Sequence, residues 1–148
     1  MPSVRRALSL VVLALAGAAA TSASAAPPSL EAWARQANAI CAQGQREQKK
    51  IPEPKTDAQL ASFLELSFAR VRHDIGAIRS LPRPPAVSVE IGRMLGFLQQ
   101  VIGLEPQLVA AARGGDKAGF ARLSAQGQGL TNRANAIARR LGATVCAK

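Results

Sequence analysis

Leu30, Trp33, Ala37, Ile40 and Gly44 follow one another at spacings of three and four, the repeat that gathers side chains on one face of an α-helix. Glu31, Arg35, Asn38, Gln45 and Arg46 fall on the other side. Ser29 stands where a side-chain oxygen can cap the first turn, and Pro52 and Pro54 prevent easy continuation past Ile51. The pattern predicts a first helix over about 30–51.

Thr56-Asp57-Ala58-Gln59 has the form of a capping box, with Gln59 placed to reach back to the Thr56 backbone. Leu60, Leu64, Val71, Ile75 and Ile78 then share a face, with Phe63 and Phe68 at its margins, until Pro82-Arg83-Pro84-Pro85 stops the helix. A second helix is predicted over about 57–81. The third, over about 86–113, is the most apolar: Ile91, Leu95, Leu98, Ile102 and Val109 form its stripe, widened by Met94, Phe97, Val101, Leu104 and Leu108. Pro106 removes a backbone donor and should bend this helix near Ile102 and Gly103, and Gly114-Gly115 ends it. Asp116 caps the fourth, over about 117–141, in which Phe120, Leu123, Gly127, Leu130, Ala134, Ile137 and Leu141 alternate strictly between spacings of three and four. Gly142 supplies a left-handed stop. No strand-like alternation and no repeat of twenty to fifty residues competes with this reading.

Four amphipathic segments joined by short Pro or Gly connectors place successive helices antiparallel, so the expected fold is all-α, an up-down-up-down four-helix bundle. The stretch before it has another character. Arg5-Arg6, an uncharged run over 7–20 and the small residues Ala23-Ser24-Ala25 read as a secretory signal peptide cleaved after Ala25 or Ala26; an uncut signal anchor is the rival. Residues 1–26 are thus expected to be an export segment, and 27–148 a single bundle domain in a secreted, extracytoplasmic setting, periplasm or cell wall, with no transmembrane segment in the mature chain.

In an oxidising compartment the two cysteines, Cys41 and Cys146, are expected to form one disulfide. The bundle topology tests this pairing. The end of the fourth helix lies beside the start of the first, Cys41 sits eleven residues above Leu30, roughly 16 Å at helical rise, and the tail from Gly142 to Cys146 is long enough to climb that far.

Charge narrows the partners. The chain carries 19 Lys and Arg against 9 Asp and Glu, and because the export segment holds two of the basic residues and no acid, the mature domain keeps a formal charge of +8. Such a surface attracts anionic neighbours, an envelope polymer or a lipid surface, without specificity. On the fourth helix Arg122, Arg133 and Arg140 share nearly one angular position, with no acid between Lys117 and Leu141, a stripe of roughly 27 Å. It either grips a linear polyanion or anionic lipid or serves only as a solvated face. Nucleic acid is disfavoured, since four Phe, one Trp and no Tyr leave no stacking platform.

Two further sets of residues carry weaker expectations. Gly92, Gly96 and Gly103 align away from the main stripe of the third helix and mark either a close-packing or homodimer seam or merely tolerated glycines. Gly44 and Gly127 should lie at one level inside the bundle, where Phe63 or Phe68 fills the space or a small apolar ligand occupies it. No metal or cofactor is expected: His73, the single histidine, points opposite its helix's apolar stripe, and neither a haem-attachment motif nor a Glu-x-x-His pair is present. Catalysis is not expected either, as the acids are scattered; a deep polar pocket gathering Ser67, Asp74 or Glu105 would be needed to support it.

Ala39-Ile40-Cys41-Ala42, Leu81-Pro82, the 110–116 stretch and the segment from Leu141-Gly142 to Cys146 are similar to small secreted or lipoprotein-like four-helix proteins of high-GC Gram-positive bacteria. The resemblance implies a fold and a compartment, and no activity. The sequence therefore points to a non-catalytic binding or interaction module at the cell envelope, with a carrier of a small hydrophobic ligand as the alternative.

Overall fold

The computed structural model describes residues 26–147, so the expected export segment, Ala26 apart, lies outside the described residues. Its elements are helices α1 (Leu30–Gln48), α2 (Asp57–Arg79), α3 (Ser88–Gly103), α4 (Glu105–Gly114) and α5 (Lys117–Arg140), with a single 3-10 turn, Pro85–Val87, ahead of α3. The described residues are all-helical, a four-helix bundle whose third column is broken in two.

The predicted caps form as side-chain hydrogen bonds. Ser29 Oγ accepts from the Ala32 N–H at 3.1 Å, Thr56 Oγ1 from Gln59 at 3.3 Å and Asp116 Oδ1 from Gly119 at 2.8 Å. Gln59 reaches back one residue further than a capping box requires, accepting from the Lys55 N–H at 2.8 Å. Gly115 and Gly142 adopt positive φ, 66° and 79°, and close the helices that precede them.

The third column departs from expectation. A bent helix was expected over about 86–113; α3 instead ends at Gly103 and α4 begins at Glu105. The reason is Pro106, which has no N–H for the Ile102 carbonyl. The Leu104 N–H closes tightly on Val101 O at 3.1 Å, and the regular spacing resumes when Leu108 N–H bonds Leu104 O at 3.0 Å. The break lets α3 pack on α5 while α4 packs on α2.

Two cores result. The larger gathers Trp33, Ala37, Ile75, Ile78, Ile91, Met94, Leu95, Ile137 and Leu141, with the disulfide at its edge. The smaller joins Ala61 of α2 to Val109 and Ala112 of α4, flanked by Leu60, Leu64 and Phe120. Arg113–Glu65 and Arg72–Glu105 ion pairs bridge α4 to α2 above it.

Past Leu141 the chain turns back along α1, and Cys146 is bonded to Cys41 with their Cα atoms 5.1 Å apart. Asn38 fixes this tail twice: its Nδ2 donates to Gly142 O at 3.0 Å and its Oδ1 accepts from the Val145 N–H at 2.9 Å. Gln45 Nε2 donates to Val145 O at 2.8 Å, and Arg139 Nη1 to Ala147 O at 2.9 Å. The polar side of α1 thus serves as a docking strip for the tail as well as a solvent face.

Candidate functional site

Between α1, α2, α3 and α5 lies a cleft of about 590 Å³. Its floor is apolar: Ile75 and Ile78 of α2, Met94 and Leu98 of α3, and Ala134 and Ala138 of α5. The Cys41–Cys146 pair forms one wall, and Gln45 and Gln48 of α1, Lys49 just past its end, Ser67, Arg70 and Asp74 of α2, and Asn135 of α5 supply the polar part. The small side chains on α5 make the space, because alanine at two successive core turns leaves α5 without the bulk to meet α1. A volume within about 300–1,000 Å³ and a mostly apolar lining with few polar groups are the properties of small-molecule sites.

Asp74 is held against α1. A β-carbon on Gly44 would fall 1.9 Å from Asp74 Oδ2, so the absence of a side chain at Gly44 is what admits the carboxylate. Arg70, one turn earlier on α2, donates through Nη2 to Asp74 Oδ1, and both side chains are about four-fifths buried. The same Nη2 lies 3.1 Å from His73 Nδ1. The hydrogen bond to Asp74 is the main cause holding the guanidinium above the ordinary arginine value, opposed by burial and helped by the nearby charges of Asp74 and Glu47.

Arg70 is not fully satisfied. Its Nε is buried with no hydrogen-bond partner among the described residues. A donor left in that condition costs about 1–3 kcal/mol. Of the other polar groups at the cleft, Gln48 Nε2 donates to Ser67 Oγ at 2.8 Å and Gln45 holds the tail, while Lys49 and Asn135 have no side-chain partner among the described residues. Lys49 and Arg70 against Asp74 leave the charged lining residues at +1.

Of the residues expected around a core ligand, Gly44 borders the cleft, and Gly127, Phe63 and Phe68 do not. The α5 residues that face the same space as Gly44 are Ala134 and Ala138, beginning two turns past Gly127. Gly127 meets Leu104 instead, whose Cδ1 lies 3.5 Å from the position of an added β-carbon. Phe63 and Phe68 are half-buried elsewhere on α2. Ser67 and Asp74 do share the cleft, but its floor is apolar, and Glu105 is paired with Arg72. Met94, expected at the edge of its stripe, is 2 % exposed and forms part of the cleft floor. His73 is exposed, as its helical phase requires.

Arg122, Arg133 and Arg140 are exposed along α5, and none forms an ion pair among the described residues. Arg133 lies over the Phe97 ring, 5.8 Å from its centre. Gly96 and Gly103 are exposed with open space where a β-carbon would stand, and Gly92 meets only Arg83 Nη1 at 3.8 Å. At Gly96 and Gly103 no other segment of the described chain comes within 4 Å of that position.

Arg70 and Gln48 were absent from the sequence reading of the site. An Arg and Asp four residues apart on a helix ordinarily form a solvent-exposed pair, and only the gap at Gly44, on another helix, draws this one inward. No protein-family model, curated protein or solved structure matches the chain.

Proposed function

We propose that this domain is an extracytoplasmic, non-catalytic binding protein that holds a small, largely apolar molecule in the cleft between α1, α2, α3 and α5. The observation that carries the reading is the cleft itself: about 590 Å³ of space running from a polar rim onto Ile75, Ile78, Met94 and Leu98. Left to water it would hold on the order of twenty molecules against walls that offer them few partners, and an apolar guest releases them. The compartment rests on the leader-like start of the sequence and on the disulfide, which suits an oxidising setting. No helix among the described residues is long and apolar enough to cross a membrane.

Two measurements test the reading. Native mass spectrometry of the domain purified from its own producer should reveal a retained small-molecule mass, and the emptied domain should take up a neutral solvatochromic dye such as Nile red with a blue-shifted emission. Val71→Trp, which adds bulk at the half-exposed rim, should abolish uptake while leaving the far-UV circular dichroism unchanged. Dye emission unaltered by the domain, with no retained mass, overturns the proposal.

A second reading is favoured by the unpaired arginines of α5: the domain sits against an anionic envelope polymer or lipid surface through Arg122, Arg133 and Arg140. Sedimentation with vesicles containing anionic lipid should then fall steeply with salt and be lost when all three become Gln. Binding indifferent to salt or to the triple substitution rules this surface out.

A further inference from the structure

Resting on the reading of the cleft as a binding site, we infer that its ligand is an amphiphile with a single carboxylate head, received by the guanidinium of Arg70 while the apolar body lies on the cleft floor. Arginine has five N–H donors in a fixed fork. Nη2 is engaged by Asp74 Oδ1 and His73 Nδ1, whereas the N–H of Nε and the two of Nη1 have no acceptor among the described residues. Those three donors belong to a lining cation whose side chain is about four-fifths buried.

The Nε is sealed from solvent as well as unpartnered, so water does not serve it. An oxygen that enters the cleft is met first by the two N–H donors of Nη1, which are neither sealed nor partnered, while Nη2 stays on Asp74. Charge argues in the same direction. Asp74 cancels one of the two lining cations, and Lys49 on the α1 rim leaves a single positive charge, which one carboxylate neutralises. A cationic head would confront that charge, and an uncharged head would offer the Arg70 donors a weaker acceptor with no charge to neutralise. Among the neutral polar groups of the rim, Gln45 holds the tail and Gln48 holds Ser67, which leaves Asn135 as the one without a side-chain partner among the described residues.

The test compares three twelve-carbon probes by isothermal titration calorimetry with the oxidised domain: dodecanoate, dodecan-1-ol and dodecylammonium. Dodecanoate should bind roughly ten- to a hundredfold more tightly than the alcohol, the gain expected of a charge-assisted hydrogen bond, and dodecylammonium more weakly than either. Arg70→Gln should bring dodecanoate down to the affinity of the alcohol while dodecan-1-ol binding stays as it was, which also shows that the variant is folded. Asp74→Asn, which removes the negative charge that competes for Arg70, should tighten dodecanoate and leave the alcohol unchanged. Alcohol or ammonium binding as tightly as carboxylate overturns the head-group assignment and leaves the cleft reading standing. Absence of binding by all three removes both.

Discussion

The carboxylate of Asp74 occupies the space that any side chain at Gly44 would need: a β-carbon there falls 1.9 Å from Asp74 Oδ2 and 2.8 Å from its Cγ. Two helices are thereby fitted together at one level by a missing side chain on α1 and a charged one on α2. Gly44→Ala must push Asp74, and with it Arg70, off this seat. Overpacking of a buried contact costs about 1–3 kcal/mol. The expected outcome is a lower midpoint in thermal or urea unfolding, together with weaker binding in the cleft. A variant as stable as the parent would show that the carboxylate has another place to go.

Gly96→Ala supplies the opposite case. Gly96 is exposed within α3, and nothing lies within 4 Å of an added β-carbon. With no contact to lose, the alanine acts through helix propensity and the lower entropy of the unfolded chain, stabilising by about 0.4–1 kcal/mol. Urea unfolding should show a higher midpoint at unchanged slope. Destabilisation would instead mean that the glycine edge is covered in solution, as a homodimer seam would require, and sedimentation should then report the dimer.

The helices and their caps are legible in the chain because each depends on local spacing: Ser29, Thr56 and Asp116 cap where they stand, and the strict alternation from Phe120 to Leu141 sets one face of α5; the disulfide, which spans 105 residues, is legible because two cysteines allow a single pairing. The cleft was not legible, because it depends on which levels of different helices meet. Periodicity puts Gly44 and Gly127 at one level, but α5 brings Ala134 and Ala138 to that cleft, and Gly127 faces Leu104 at the joint between α3 and α4. Pro106 signalled a bend in the third helix. How far it would separate α3 from α4 depended on the packing of α4 against α2, for which one helix's periodicity holds no signal.

Glu47 offers a check on the surface charges near Arg70. Lys50 Nζ donates to both of its oxygens, at 2.9 and 3.0 Å, and this hydrogen bond is the main cause that lowers its carboxyl below the ordinary value of 4.5, burial opposing and the charges of Lys50, Arg70 and Arg46 assisting. A depressed folded-state value means that the contribution of Glu47 to stability is present above about pH 4.5 and is lost as pH falls through the folded-state value. Titration of the Glu47 carboxyl by NMR should therefore give a midpoint below 4.5, moving up toward it in Lys50→Gln. A midpoint that ignores the substitution would assign the lowering to Arg70 and Arg46.

Removal of the disulfide should separate two fastenings of the tail. Cys41→Ser with Cys146→Ser opens a cross-link spanning 105 residues and should lower stability by about 2–4 kcal/mol in urea unfolding, since the unfolded chain regains the freedom the bond withheld. The tail should nevertheless stay docked, because Asn38 holds both Gly142 O and the Val145 N–H, and Gln45 holds Val145 O. Amide exchange at Val145 reports this directly: slow in the parent, moderately faster in the double Ser variant, and fast only when Asn38→Ala is added. Each fastening masks the loss of the other, so Asn38→Ala alone should accelerate that amide less than it does in the absence of the disulfide. Equal acceleration in the two backgrounds would mean that the two fastenings act independently.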